Sequence, residues 1–238
     1  MKLDLNCDLG EGEPPARTRE LMRHITSANV ACGGHAGDVA SMTRCVLLAK
    51  QCGVKLGAHP SLWSRGDFGR GEACLTPEEF ELLLLQQVGT LDLIARARGV
   101  RLHHVKLHGA LYHVTERNSV LRHAYLAALR SYWPGLRAYS LAGGAVFQDA
   151  KRARVEVWQE TFADRAYRDD GKLVPRVEPG AILTDEGEVM QRVKAVVRSG
   201  TVKSISGRPI AIAAQTLCVH SDTPNAVRLV RAIASLLR

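Results

Sequence analysis

Val54-Lys55-Leu56-Gly57-Ala58-His59, Thr76-Pro77-Glu78-Glu79-Phe80 and Leu102-His103-His104-Val105-Lys106-Leu107 are the segments from which the fold is read. The first and third are short, apolar and bounded by turn residues, the pattern of buried strands. Between them Thr76 supplies a helix N-cap, Pro77 a first-turn proline and Glu79 a capping-box carboxylate. Phe80, Leu83, Leu84, Val88, Leu91 and Ile94 then recur on one face until the helix stops before Gly99. Strand, long crossover helix and strand make a parallel βαβ unit.

The same alternation extends in both directions. Further strands are predicted at Leu3 to Cys7, Ser27 to Cys32, Ala138 to Leu141, Val155 to Glu160 and Ile210 to Val219, for seven in all. Helices are predicted from Asp38 to Gly53, over Asp185 to Arg198, and from Asp222-Thr223-Pro224 through Val227, Val230, Ile233 and Leu237. The sheet is therefore parallel, and alternation alone leaves open whether it closes on itself. No linker, repeat or shift of composition divides the chain, so residues 1–238 are expected to form a single domain.

Composition narrows the function. With 46% hydrophobic and 24% charged residues, the chain is built to bury a core. Its longest aliphatic run is Leu82 to Leu85, far short of the roughly 20 residues that span a bilayer. Charges at Lys2 and Asp4 interrupt what would have to be the apolar part of a secretory signal, and a cytoplasmic location is expected. The six cysteines form no C-x-x-C pair, as suits reduced thiols. The net charge of +8 is dispersed rather than gathered in a tract, which argues against nucleic acid as a partner.

The informative polar residues fall at strand ends, where α/β folds place their active sites. The first strand runs into Asp8 and Glu11, the second contains Asn29 and leads to His35, and the third ends at His59. The fourth ends in Lys106-Leu107-His108, whose period-2 alternation puts Lys106 and His108 on one face and His103 out of phase with His104. The sixth ends at Glu160 and continues to Asp164 and Arg165; the last ends at His220, with Asp222 close behind. A lysine facing inward from an apolar strand is costly unless paired or catalytic. Asp222 suits a helix N-cap as well as chemistry, and the strand-end cysteines suit small buried apolar groups.

The chain has no G-x-x-x-x-G-K-[ST], no strand-linked G-x-G-x-x-G, no H-E-x-x-H and no G-x-S-x-G. Carboxylates, histidines and a lysine instead suit acid/base activation of water, which a divalent metal can assist.

Several blocks together resemble the LamB/YcsF family. They are Asp4-Leu5-Asn6-Cys7-Asp8-Leu9-Gly10-Glu11-Gly12, Ser27-Ala28-Asn29-Val30-Ala31-Cys32-Gly33 with His35-Ala36-Gly37-Asp38, and Gly57-Ala58-His59-Pro60-Ser61. Farther on come His104-Val105-Lys106 with His108-Gly109-Ala110-Leu111-Tyr112, Glu160 with Phe162-Ala163-Asp164-Arg165-Ala166-Tyr167, Gly180-Ala181, and Cys218-Val219-His220. The chain departs from the family pattern at Val39 and Leu107, where proline is usual, at Ser221, where glycine is usual, and in the loop Leu62 to Asp67.

The resemblance implies a distorted seven-stranded, TIM-like β/α barrel of the glycoside hydrolase/deacetylase type. It also implies ATP-dependent opening of the 5-oxoproline lactam to L-glutamate, together with separately encoded 5-oxoprolinase B and C subunits. On that reading Asp8 or Glu160, with His59 or His108, activates water, and Lys106 stabilises the phosphate or oxyanion. Arg165 holds the substrate carboxylate, while Glu11, Asn29, His35 and His220 complete the binding surface. Without a phosphate loop, ATP is expected in an atypical site or mainly on the partners. The alternatives are a stand-alone metal-dependent deacetylase or amidase using Asp8, His59 and His108, and a non-catalytic binding subunit.

Overall fold

The structure is a computed structural model that describes residues 3–223 and 225–238. Its elements run β1 (Asp4–Leu9), α1 (Pro15–Met22), β2 (Ser27–Ala31), α2 (Val39–Cys52), β3 (Lys55–His59), α3 (Pro77–Arg96), β4 (Leu102–Lys106), α4 (Gly109–Arg117) and α5 (Ser119–Tyr132). They continue with β5 (Arg137–Leu141), α6 (Ala145–Ala153), β6 (Val157–Phe162), α7 (Glu186–Ser199), β7 (Thr201–Lys203), β8 (Pro209–Ala211), β9 (Thr216–Val219) and α8 (Ala226–Leu236). Seven parallel strands close into a barrel in the order β1-β2-β3-β4-β5-β6-β9, with β9 pairing both β6 and β1. The helices surround it, so this is the expected TIM-like β/α barrel.

Local chemistry fixes the elements. Thr76 and Glu79 form the anticipated capping box of α3, and Asp38 forms another with Ser41 on α2. Phe80, Leu83, Leu84, Val88 and Leu91 of α3 are buried against the barrel. The outward faces of β1 and β2, with Leu5, Cys7, Leu9, Ala28 and Val30, pack under the helices in one extended hydrophobic cluster.

Three expectations are corrected. The run Ile210 to Val219 is not one strand: Pro209–Ala211 pairs antiparallel with β7 outside the barrel, and only Thr216–Val219 enters it. The last helix starts at Ala226 behind Asn225, which adopts left-handed backbone (φ 59°), rather than at Asp222; Pro224 of that predicted start lies outside the described residues. Finally, His103 does not face away. Leu56 pairs with Leu102 and Gly57 with His104, so His103 is the extra residue of a bulge that brings both rings inward. His104 stacks on Tyr139 at 3.8 Å, and His103 meets the edge of Trp158 at 5.1 Å.

Candidate active site

Barrels of this kind ordinarily fill with Val, Ile and Leu. Here alternate residues of β1 turn Asp4, Asn6 and Asp8 inward, facing Ser27 and Asn29 of β2, His104 and Lys106 of β4, Glu160 of β6, and Thr216 and Cys218 of β9. All of these are buried. Buried polar groups must find partners. At the lower end, the Asp4 carboxylate accepts from Thr26 Oγ1 (2.7 Å), Ser27 Oγ (2.8 Å), Thr216 Oγ1 (2.7 Å) and Lys55 Nζ (3.2 Å). One layer up, Asn6 donates to Glu160 Oε1 at 2.9 Å. Asn29 Nδ2 donates to Asn6 Oδ1 and to Asp8 Oδ1, both at 2.7 Å. His104 Nε2 donates to Asn29 Oδ1 at 2.7 Å.

Lys106 links this network to the mouth. Its Nζ lies 3.0 Å from Asp8 Oδ1, 3.1 Å from Glu160 Oε1 and 3.0 Å from Cys218 Sγ. Burial alone would raise the Asp8 carboxyl, but Lys106, with help from His59 and His220, outweighs it and holds Asp8 well below the usual carboxylate range. Lys106 responds in kind: burial would lower it, and Asp8, Cys218 and Glu160 hold it well above an ordinary lysine. Burial pushes Glu160 up, only partly offset by Lys106. Its Oε2 and the Tyr112 hydroxyl are buried with no hydrogen-bond partner among the described residues.

Above Lys106 lies a group of histidines. His59 donates Nδ1–H to the Lys106 carbonyl (2.7 Å), and His108 donates Nε2–H to the Phe68 carbonyl (2.9 Å). The remaining nitrogens, His59 Nε2 and His108 Nδ1, face each other at 3.0 Å. His35 Nε2 is 2.8 Å from Glu11 Oε1, its Nδ1 is 2.8 Å from Ser61 Oγ, and its backbone N–H donates to the same oxygen. Gln87 of α3 clamps Ser61 in turn, accepting its N–H at 3.0 Å and donating to its carbonyl at 2.6 Å. Burial pulls His59 down to about 4 and His35 to about 3, and pulls His108 well below the usual imidazole value. It pushes Glu11 up, aided by the charge on Asp8.

The loop after β3 makes this geometry. Phe68 (φ 57°) and Gly69 (φ 65°) are both left-handed, and that turn aims the Phe68 carbonyl at His108. Strain of that kind in a non-glycine residue is held in place by its surroundings. Here the Phe68 ring packs against His35 at 4.9 Å and His108 at 5.4 Å.

On the opposite wall, Asp164 accepts from His220 Nδ1 (2.9 Å), from the His220 backbone N–H (3.2 Å) and from the Thr223 hydroxyl. These bonds hold Asp164 ionised against its burial. They also turn His220 Nε2 toward Asp8 Oδ2, 3.9 Å away. The cleft over this floor has a volume of about 250 Å³ and is lined by Glu11, Glu13, Arg17, Phe68, Arg70, Ser221 and Asp222.

Asp8, Glu11, Asn29, His35, His59, Lys106, His108, Glu160 and His220 are thus joined through direct contacts. Arg165 stands apart from them. It is buried, and its guanidinium donates to the carbonyls of Val174 (2.6 Å) and Ala181 (3.3 Å), tying down the segment that follows β6. Asp222 pairs with Arg70 (3.4 Å) and Arg176 (3.7 Å) at the rim. Sequence reasoning left Asp164, Ser61 and Gln87 without a role. Gln87 carried a signal, as a polar residue in phase with the apolar face of α3.

The LamB/YcsF family profile matches residues 3–238. The A subunit of 5-oxoprolinase from Bordetella pertussis is 42% identical over 234 residues, covering 97% of this chain and 93% of that one. The corresponding 5-oxoprolinase protein from Pyrococcus abyssi, also an A subunit, is 42% identical over 240 residues, covering 100% of this chain and 94% of that one. The crystal structure of a lactam utilization protein from Thermus thermophilus superposes with a TM-score of 0.90 at 38% identity, covering 99% of this chain and 97% of that one.

Proposed function

The chain belongs to the LamB/YcsF family, and from that premise we propose that it is the A subunit of a 5-oxoprolinase, opening the 5-oxoproline lactam to L-glutamate together with B and C subunits and ATP. Two relatives named as such A subunits support the reaction class. The observation that carries the site is Asp8, held ionised by Lys106 and faced across 3.9 Å by Nε2 of an Asp164-oriented His220, at the floor of a small cleft.

An unstrained lactam resists water because amide resonance makes its nitrogen a poor leaving group. Transfer of the terminal phosphoryl group of ATP to the lactam oxygen gives an imidate phosphate whose carbon accepts water. His220, oriented by Asp164, takes one proton of that water through Nε2, and the ionised Asp8 facing it stabilises the imidazolium that forms. The ring C–N bond then breaks as the hydroxyl of the adduct gives up its proton and becomes the carbonyl of an acyl phosphate; the nitrogen leaves as the amine with that proton and the one held by His220, and a second water releases phosphate from the acyl phosphate. Lys106 maintains the charge on Asp8 and supplies positive potential to the developing oxyanion. Arg17 and Arg70 line the cleft and suit the substrate carboxylate, while Arg165 holds the wall behind it. Glu11, Glu13 and Asp222 make the same cleft unsuited to a whole triphosphate. The nucleotide is therefore assigned chiefly to the partner subunits.

The test is glutamate formation by the reconstituted subunits. His220→Gln is expected to lower kcat by about 10²–10⁴-fold, the usual worth of a positioned acid/base. A wild-type rate in that variant contradicts the assignment. Equal activity of this chain alone, without ATP, would favour a stand-alone amidase.

A further inference from the structure

We propose that Glu11, His59 and His108 form a binding site for one divalent cation of the zinc class, with His35 as a positioning residue for Glu11. The site stands on geometry alone and does not depend on which substrate the cleft takes.

A carbonyl can only accept, so the bonds to Lys106 and Phe68 place protons on His59 Nδ1 and His108 Nε2. In neutral rings, His59 Nε2 and His108 Nδ1 then both carry bare lone pairs, buried and 3.0 Å apart with no proton between them. A cation between them relieves that repulsion. The third donor is Glu11 Oε1, 3.5 Å from His108 Nδ1 and 3.7 Å from His59 Nε2. Bonds of about 2.0–2.1 Å to a common zinc set their donor atoms roughly 3–3.4 Å apart, close to this triangle.

His35 is not a fourth donor on this account. Its ring lies parallel to that of His108, 3.6 Å away with 3° between the planes, so a point in the plane of one ring is well outside the plane of the other. Its contact with Glu11 Oε1 instead fixes the carboxylate, while backbone carbonyls fix both ligand rings. That is the usual support of a metal-binding histidine and carboxylate. Three protein donors leave a position open, as in catalytic zinc sites, and Asp8 Oδ2 lies 3.6 Å from His59 Nε2. Bound there, the ion would supply Lewis acidity at the floor of the cleft.

The experiment uses the full chain, stripped with a chelator and reloaded with zinc or cobalt(II). Expected results are one zinc per chain by elemental analysis, a higher melting temperature on reloading, and visible cobalt absorption of low-symmetry nitrogen/oxygen coordination. Glu11→Gln and His108→Ala should each lose the zinc. His35→Gln should keep the stoichiometry and weaken affinity about 10–100-fold. Wild-type chain that takes up no zinc and gains no melting temperature overturns the proposal, as does full zinc uptake by the His59→Ala/His108→Ala double variant. If the variants fail to fold, the wild-type melting shift and cobalt spectrum decide alone. Glutamate formation is not a readout here, so failure of the lactam assignment leaves this result intact.

Discussion

With Asp8 on one side of its ammonium and Glu160 on the other, Lys106 is the cation that makes two buried carboxylates tolerable. Lys106→Met leaves them uncompensated and is expected to cost about 3–5 kcal/mol at neutral pH. The sign of the pH dependence follows. Without the ammonium, both carboxyls have folded-state values above their unfolded value of about 4, so the folded protein binds more protons. The deficit of the variant relative to wild type should therefore shrink as pH falls from 7 toward the carboxylate range, and denaturant unfolding of both proteins at several pH values checks this. At this scale much was legible. Asp8, His59, Lys106 and His220 were each marked by a strand end, and Lys106 by its period-2 phase as well. Asp164 was not, because what gives it a role is a bond to His220 spanning 56 residues.

Elements decide whether those residues meet. The bulge in β4 brings His104 beneath Gly57, where an added Cβ would overlap the His104 ring. Gly57→Ala must therefore displace the ring that donates to Asn29, and through Asn29 disturb Asp8. Such overpacking typically costs about 1–3 kcal/mol, and both melting temperature and glutamate formation should fall. Thr76→Ala is the contrast: it removes the α3 cap at a residue outside the cleft lining, and about 1 kcal/mol of stability should be lost with kcat unchanged. The capped helices were readable because caps and apolar stripes are local signals. The bulge was not, since it is a property of two strands pairing. The split of Ile210 to Val219 was hidden because one apolar run looks the same whether it serves one sheet or two.

Across the whole molecule burial pulls His35, His59, His103, His104, His108 and His113 below the usual imidazole value. His113 of α4 is held near 4 by burial and by the charges of Arg165, Arg117 and Arg176, against about 6.5 in an unfolded chain. Between those values the unfolded state binds the extra proton, so stability present above about pH 6.5 is lost as pH falls toward 4. His113→Gln should flatten that slope by up to about one proton, measured by unfolding across the range. Strand alternation led to a parallel sheet but not to its closure, because only the pairing of β9 with both β6 and β1 distinguishes a barrel from an open sheet. The polar barrel interior is the molecule's defining property, and its working charge sits on Asp8. The most direct measurement is the rate at which the chain, assembled with its B and C subunits and ATP, converts 5-oxoproline to glutamate when Asp8 is replaced by Asn. The expected result is a loss of at least about 100-fold in kcat, whereas a rate within about twofold of wild type would contradict a catalytic Asp8.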